Sequence, residues 1–109
     1  MRYRHDMKRQ EVEAFYQSNR WKQKRNAIMR RDGYMCQYSK RYGKRVEAEV
    51  VHHIFPIEDY PEYALDDWNL IALSRVAHNR LHDRNTGNLT EEGKQLMRKV
   101  ARDRKTSYG

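Results

Sequence analysis

The chain has 109 residues, 38% of them hydrophobic and 35% charged, which is the size of one small domain with a thin core. A lone cysteine, Cys36, excludes an internal disulfide and a four-thiolate zinc site, and no run approaches the roughly 20 apolar residues of a membrane span. The net charge of +8 is unevenly spread: residues 1–31 hold ten Lys/Arg against three Asp/Glu, residues 94–109 hold six against one, and residues 32–93 hold seven against eleven.

Two basic arms thus flank a mildly acidic centre. Basic arms suit a polyphosphate backbone, where affinity comes from released counterions; the competing reading is a pair of solvated Lys/Arg-rich helices. The first ten residues are polar and are expected to fray. The start Met1-Arg2-Tyr3-Arg4-His5-Asp6 has no apolar run behind it, so no secretory signal is expected and the cytoplasm is the default location.

Phe15-Tyr16-Gln17-Ser18-Asn19 leads into a helix over Arg20–Arg31, with Ser18 as N-cap. Trp21, Arg25 and Ile28 fall on one face at helical spacing, and Gly33 closes the helix. Residues 34–38 read as a short extended piece, and Lys40 to Arg45 as a basic turn around Gly43. Val46-Glu47-Ala48-Glu49-Val50 alternates with period two, so a strand is expected there, running through Val51-His52-His53-Ile54-Phe55 until Pro56 stops it. Residues 57–67 are acidic and irregular, with a helical turn after Pro61. Trp68 to Leu73 reads as a second strand and Val76 to Asp83 as a helix, ended by Asn85-Thr86-Gly87. Thr90 then caps a last helix, with Glu91 and Glu92 in its first turn and an apolar stripe of Leu96, Met97 and Val100.

Four of the five histidines, His52, His53, His78 and His82, lie in one central window, and His5 lies apart. His78 and His82 share the i, i+4 spacing that puts two imidazoles on one helix face, and a strand-end histidine would supply a third ligand. Three neutral imidazoles with open positions make a catalytic rather than a closed structural metal site. Adjacent strand residues point to opposite faces. One of His52 and His53 is therefore expected to bind the ion and the other to act as a base, a role its near-neutral pKa suits.

Val51-His52-His53-Ile54-Phe55-Pro56, then Asn69-Leu70-Ile71-Ala72-Leu73, then His78-Asn79-Arg80-Leu81-His82 resembles the signature of the HNH endonucleases, the ββα-metal or His-Me finger family. The leader Phe15 to Lys22 and Arg31-Asp32-Gly33-Tyr34-Met35-Cys36 resembles that of small bacteriophage HNH proteins, and the likeness spans roughly residues 15–95.

The resemblance implies an α+β fold: a two-stranded antiparallel sheet plus helix, core about 46–87, flanked by helical arms at about 10–32 and 90–105 in one domain. It implies a metal-dependent DNA endonuclease. His52, His78 and His82 would be ligands of one divalent ion (Zn, Ni, Mn, Co or Mg), His53 the general base, and Asn69 a brace for the loop carrying the base. Cleavage would leave 5′-phosphate ends. DNA is the implied substrate, a phage terminase a partner, and the host cytoplasm the location. Arg25, Lys40, Arg75 and Arg80 are the candidates for phosphate contact.

One departure is plain. Many HNH proteins with this leader carry two Cys-x2-Cys pairs around a structural zinc, and the matching positions here are Cys36, Ser39, Ser74 and Ala77. No structural zinc is expected, and packing through Trp21, Tyr34, Tyr38 and Leu73 is expected to substitute. The main alternative function is a non-catalytic DNA-binding accessory protein of the same fold.

Overall fold

A computed structural model describes residues 7–108; the first six residues, His5 and the expected signal-free start among them, lie outside it. In chain order the elements are α1 (Arg9–Gln17), α2 (Asn19–Arg31), α3 (Gln37–Lys40), β1 (Val50–His53), β2 (Leu70–Leu73), α4 (Arg75–Leu81) and α5 (Glu91–Tyr108), with 3-10 turns at Pro61–Tyr63 and Asp67–Asn69. β1 and β2 pair antiparallel, Val50 opposite Leu73 and His53 opposite Leu70. With α4 following β2, this is the ββα-metal arrangement.

The sheet divides two apolar clusters. On one side Cys36, Ile54, Leu73, Ala77, Leu81 and Leu96 are buried, with Tyr38, Met97 and Val100 packed against them. On the other, Trp21, Ile28 and Leu70 are buried under Phe15, Val51 and Leu65. Trp21 and Leu73 therefore belong to different clusters, and Tyr34 stays largely exposed in a left-handed turn. Of the four residues expected to pack where a zinc would sit, only Tyr38 and Leu73 do so. At the site itself Cys36 Sγ accepts hydrogen bonds from the Ser39 hydroxyl (3.3 Å) and amide (3.5 Å), and the Ser74 hydroxyl accepts from the Ala77 amide to cap α4.

Local chemistry sets the element ends. Ser18 Oγ accepts from Trp21 N–H. α2 ends in paired bonds from Gly33 and Tyr34 to the Arg30 and Met29 carbonyls, which places Gly33 at φ +64°. At its basic end Arg31 donates to the Asp67 and Leu70 carbonyls, and Asp32 accepts from Ala72 N–H at the outer edge of β2.

Four expectations are corrected. Arg9 and Gln10, expected to fray, open the helix Arg9–Gln17, its first turn fixed by Lys8 N–H on the Glu11 carboxylate. The first strand is regular only at Val50–His53, because residues 46–48 pair instead with 34–36 through Cys36 N–H to Val46 O and Ala48 N–H to Tyr34 O. The second strand starts at Leu70, since Asp67–Asn69 is wound into a 3-10 turn that turns the Asn69 side chain inward. The helix expected at Val76–Asp83 begins at Arg75 and ends at Leu81.

α5 crosses the C-terminal end of α4 closely. A Cβ at Gly93 would meet the Leu81 carbonyl oxygen at 2.5 Å and the Leu89 side chain at 2.9 Å. Further along, the Arg104 guanidinium lies 3.7 Å over the Trp68 ring. Gly93→Ala gains helix propensity of about 1 kcal/mol but forces the helices apart, so a net loss of about 1–2 kcal/mol is expected in urea unfolding. Unchanged stability would show that this crossing is not tightly packed.

Candidate active site

His52 and His53 end β1, and their side chains leave the strand in different directions. His52 points at α4. Its ring centroid lies 5.2 Å from that of His78 and 5.1 Å from that of His82, which are 5.0 Å from each other. Among the described residues these three form a group able to hold a metal ion, one ligand atom from each lying within 4.8 Å of the others.

His78 comes from α4, as its spacing predicts. His82 does not: it is the first residue beyond the helix, extended at φ −126° and ψ 138° and bridged to Leu89. The turn at Asp83–Asn88 pulls it out of the helix and brings the Gly87 carbonyl to 3.1 Å from its Nδ1. A carbonyl only accepts, so Nδ1 carries the proton and Nε2 is left as the donor atom for a metal.

The residues fit a metal on one further observation. His52 is 1% exposed, and among the described residues neither of its ring nitrogens has a hydrogen-bond partner. A buried imidazole without partners is costly, and an ion shared with His78 and His82 would relieve that cost. Among the described residues the group is made of imidazoles alone, a donor set that suits Mn, Co, Ni or Zn more than Mg.

His53 has a different environment. It is stacked on Trp21 at 5.0 Å between centroids, with Phe15 and Tyr16 edge-on at 6.1 and 6.0 Å. Its Nε2–H donates to the Ala64 carbonyl at 3.0 Å, so the proton is fixed there and Nδ1 presents a lone pair. Nδ1 lies 3.3 Å from the Tyr16 hydroxyl.

The loop bearing Ala64 is itself clamped. Asn69 Oδ1 accepts from Phe55 N–H at 2.7 Å, and its Nδ2 donates to the Phe55 and Tyr63 carbonyls, each at 3.2 Å. This fully buried amide thus joins the chain leaving β1 to the 3-10 turn just before Ala64.

Burial, then the neighbouring imidazoles, holds His52 well below the usual histidine range. Burial, then His82 and Arg75, lowers His78. Burial lowers His53 against the opposing pull of the Ala64 hydrogen bond and the Glu58 charge. Burial and Glu58 push the Tyr16 phenol up to about 12.

One cleft of about 500 Å³ is bordered by all four central histidines together with Tyr16, Trp21, Arg25, Glu49 and Glu58. Of the phosphate candidates, only Arg25 borders it, its guanidinium also donating to the Glu49 carbonyl at 3.2 Å. Arg75 sits beside the cleft, its amide and guanidinium both turned to the Glu49 carboxylate. Arg80 lines a separate depression with Lys44 and Val76. Lys40 is exposed at the end of α3. Trp21 and Tyr16 were legible in the sequence only as leader residues; nothing there signalled contact with His53.

No protein-family model matches the chain, and no curated protein matches it. A solved structure does: the HNH endonuclease of the deep-sea thermophilic bacteriophage GVE2, crystallised with a manganese ion, superposes with a TM-score of 0.64 at 37% identity over 65% of this chain and 77% of that one. The two-stranded sheet, the following helix and the three-histidine cluster describe a protein with a ββα-metal site. At that identity and coverage the chain belongs to the HNH endonuclease family.

The lowered histidines carry a consequence for stability. Each takes up a proton more readily in the unfolded chain, near pH 6.5, than in the fold, so stability is complete above that value and declines as pH falls below it. In EDTA, the Tm is expected to drop between about pH 7.5 and pH 5.5, with a smaller drop for His52→Gln. Manganese should raise the Tm at the higher pH and much less at the lower, because protonated imidazoles do not ligate. A Tm independent of pH in EDTA would contradict this account of His52, His53 and His78.

Proposed function

We propose that the protein is a metal-dependent DNA endonuclease that hydrolyses phosphodiester bonds. The observation that carries this reading is that consecutive strand residues present, to one cleft, a member of a three-imidazole cluster and a histidine whose Nδ1 lone pair is fixed by a carbonyl on Nε2. The manganese in the similar bacteriophage enzyme supports the same use of the cluster.

His53 takes a proton from water at Nδ1 while a new O–P bond forms. The P–O3′ bond breaks, leaving a 5′-phosphate and a 3′ oxygen that becomes a hydroxyl by taking a proton from solvent water. A divalent ion held by His52, His78 and His82 would supply positive charge to the departing oxygen. Asn69 keeps the loop that orients His53 in place, and the Trp21 face holds the ring against rotation. Arg25, at the cleft wall, pairs with a phosphate near the scissile bond. The basic residues of the arms not tied up internally add counterion release. The bacteriophage source of the similar enzyme supports a phage setting, in which a DNA-packaging terminase is the partner to test by co-purification.

The test is supercoiled-plasmid cleavage with EDTA and with separate additions of Mg, Mn, Ni and Zn. Wild type is expected to nick in at least one metal. His53→Ala should lose cleavage by about 100-fold or more with DNA and metal binding retained; equal loss of binding would sink the base assignment. No cutting by wild type in any metal, with DNA still bound, would favour the non-catalytic DNA-binding reading. Arg25→Ala should weaken DNA binding and flatten its log-affinity dependence on log salt by about one. An unchanged slope would place Arg25 away from phosphate.

A further inference from the structure

The base nitrogen of His53 is already engaged. The Ala64 carbonyl claims the Nε2 proton, so the hydrogen between Nδ1 and the Tyr16 oxygen, 3.3 Å apart, must be the phenol's. That is where a water about to give its proton to Nδ1 has to stand, within about 2.6–3.2 Å of it. The phenol group is placed there by structure: its ring meets Trp21 edge-on at 5.4 Å and Phe15 at 5.5 Å, besides His53 itself. The same cleft that Tyr16 borders contains the three-histidine cluster.

Tyr16 is also able to give way. It is 39% exposed, and it sits in the last turn of α1, every residue of which keeps contact with solvent. A small outward swing opens the space of one water between the hydroxyl and Nδ1.

We propose that Tyr16 is a water-positioning residue: its hydroxyl holds the place of the nucleophilic water at His53 Nδ1 in the resting protein and hydrogen-bonds that water once it enters. This deepens the nuclease reading and rests on it. The water then donates one hydrogen to Nδ1 and accepts the phenol's hydrogen on one lone pair, which leaves its other lone pair aimed at phosphorus. As the O–P bond forms, the donated proton passes to Nδ1 and the P–O3′ bond breaks. Tyr16 keeps its own proton throughout, in keeping with a phenol pushed up to about 12 by burial and Glu58.

The experiment is Tyr16→Phe in the full chain, read in two ways. In metal-free protein, the ring ¹⁵N spectrum should show His53 Nδ1 moving to the position of an unbonded imidazole nitrogen, with Nε2 unmoved. In plasmid cleavage with manganese, kcat should fall about three- to tenfold, the worth of one hydrogen bond, while KM, manganese affinity and Tm stay at wild-type values. An unmoved Nδ1 resonance, an unchanged kcat, or a loss carried wholly by KM or Tm would overturn the proposal. Faster cleavage would overturn it too, making the hydroxyl an obstacle to the water. A wild type that cuts in no metal would sink the nuclease reading itself, and with it any part for Tyr16 in the attack; an active wild type matched by Tyr16→Phe would sink this proposal alone.

Discussion

An imidazole buried at the end of a strand, with no hydrogen-bond partner for either nitrogen among the described residues, is the constraint around which this molecule is organised. His52 is 1% exposed at the end of β1, with the rings of His78 and His82 set edge-on against it. The structure accepts that cost where this ring meets those of His78 and His82, so the burial that destabilises the free fold is also what keeps His52 a neutral donor for an ion. The short β1–β2 register, the cap at Ser74 that starts α4, and the turn at Asp83–Asn88 all determine where those rings point.

The next residue along the chain is treated in the opposite way. His53 has a partner on each nitrogen, an aromatic face beneath it and a carbonyl that selects its tautomer. Two identical side chains in sequence thus receive different chemistry from a one-residue change of direction. That separation costs little backbone: Asn69, wound into a 3-10 turn at the mouth of β2, spends one amide on three backbone groups and so fixes the loop that carries Ala64.

Much of this could be read from the sequence because it is local. Strand alternation separated His52 from His53, and His78 with His82 announced a cluster. Caps at Ser18 and Thr90, and the glycine after α2, follow from backbone chemistry that acts over a few residues. What escaped the sequence depends on distant contacts. His82 reaches the cluster from an extended residue rather than a helix face, since a turn six residues long decides its conformation. α1 is held by a first-turn carboxylate and by the rings of Phe15 and Tyr16 against Trp21, a contact set by the fold. The basic arms looked uniformly available to a polyanion, yet Arg31 is committed to the chain entering β2, and Lys24 to Asp67. Charge counts do not distinguish a cation that faces solvent from one that fastens two segments.

The placement of the three histidines has a consequence for chain topology. His52 precedes the loop that bears Ala64 and Asn69, while His78 and His82 follow it. An ion joining them would act as a removable cross-link that encloses this whole loop in a closed ring, with β1 and α4 as its two ends. Closing such a ring removes disordered conformations that the open chain could otherwise explore, in the manner of a disulfide. The segment that orients the base would then be most rigid when the cluster is filled, so that readiness for proton transfer and readiness of the metal centre arrive together.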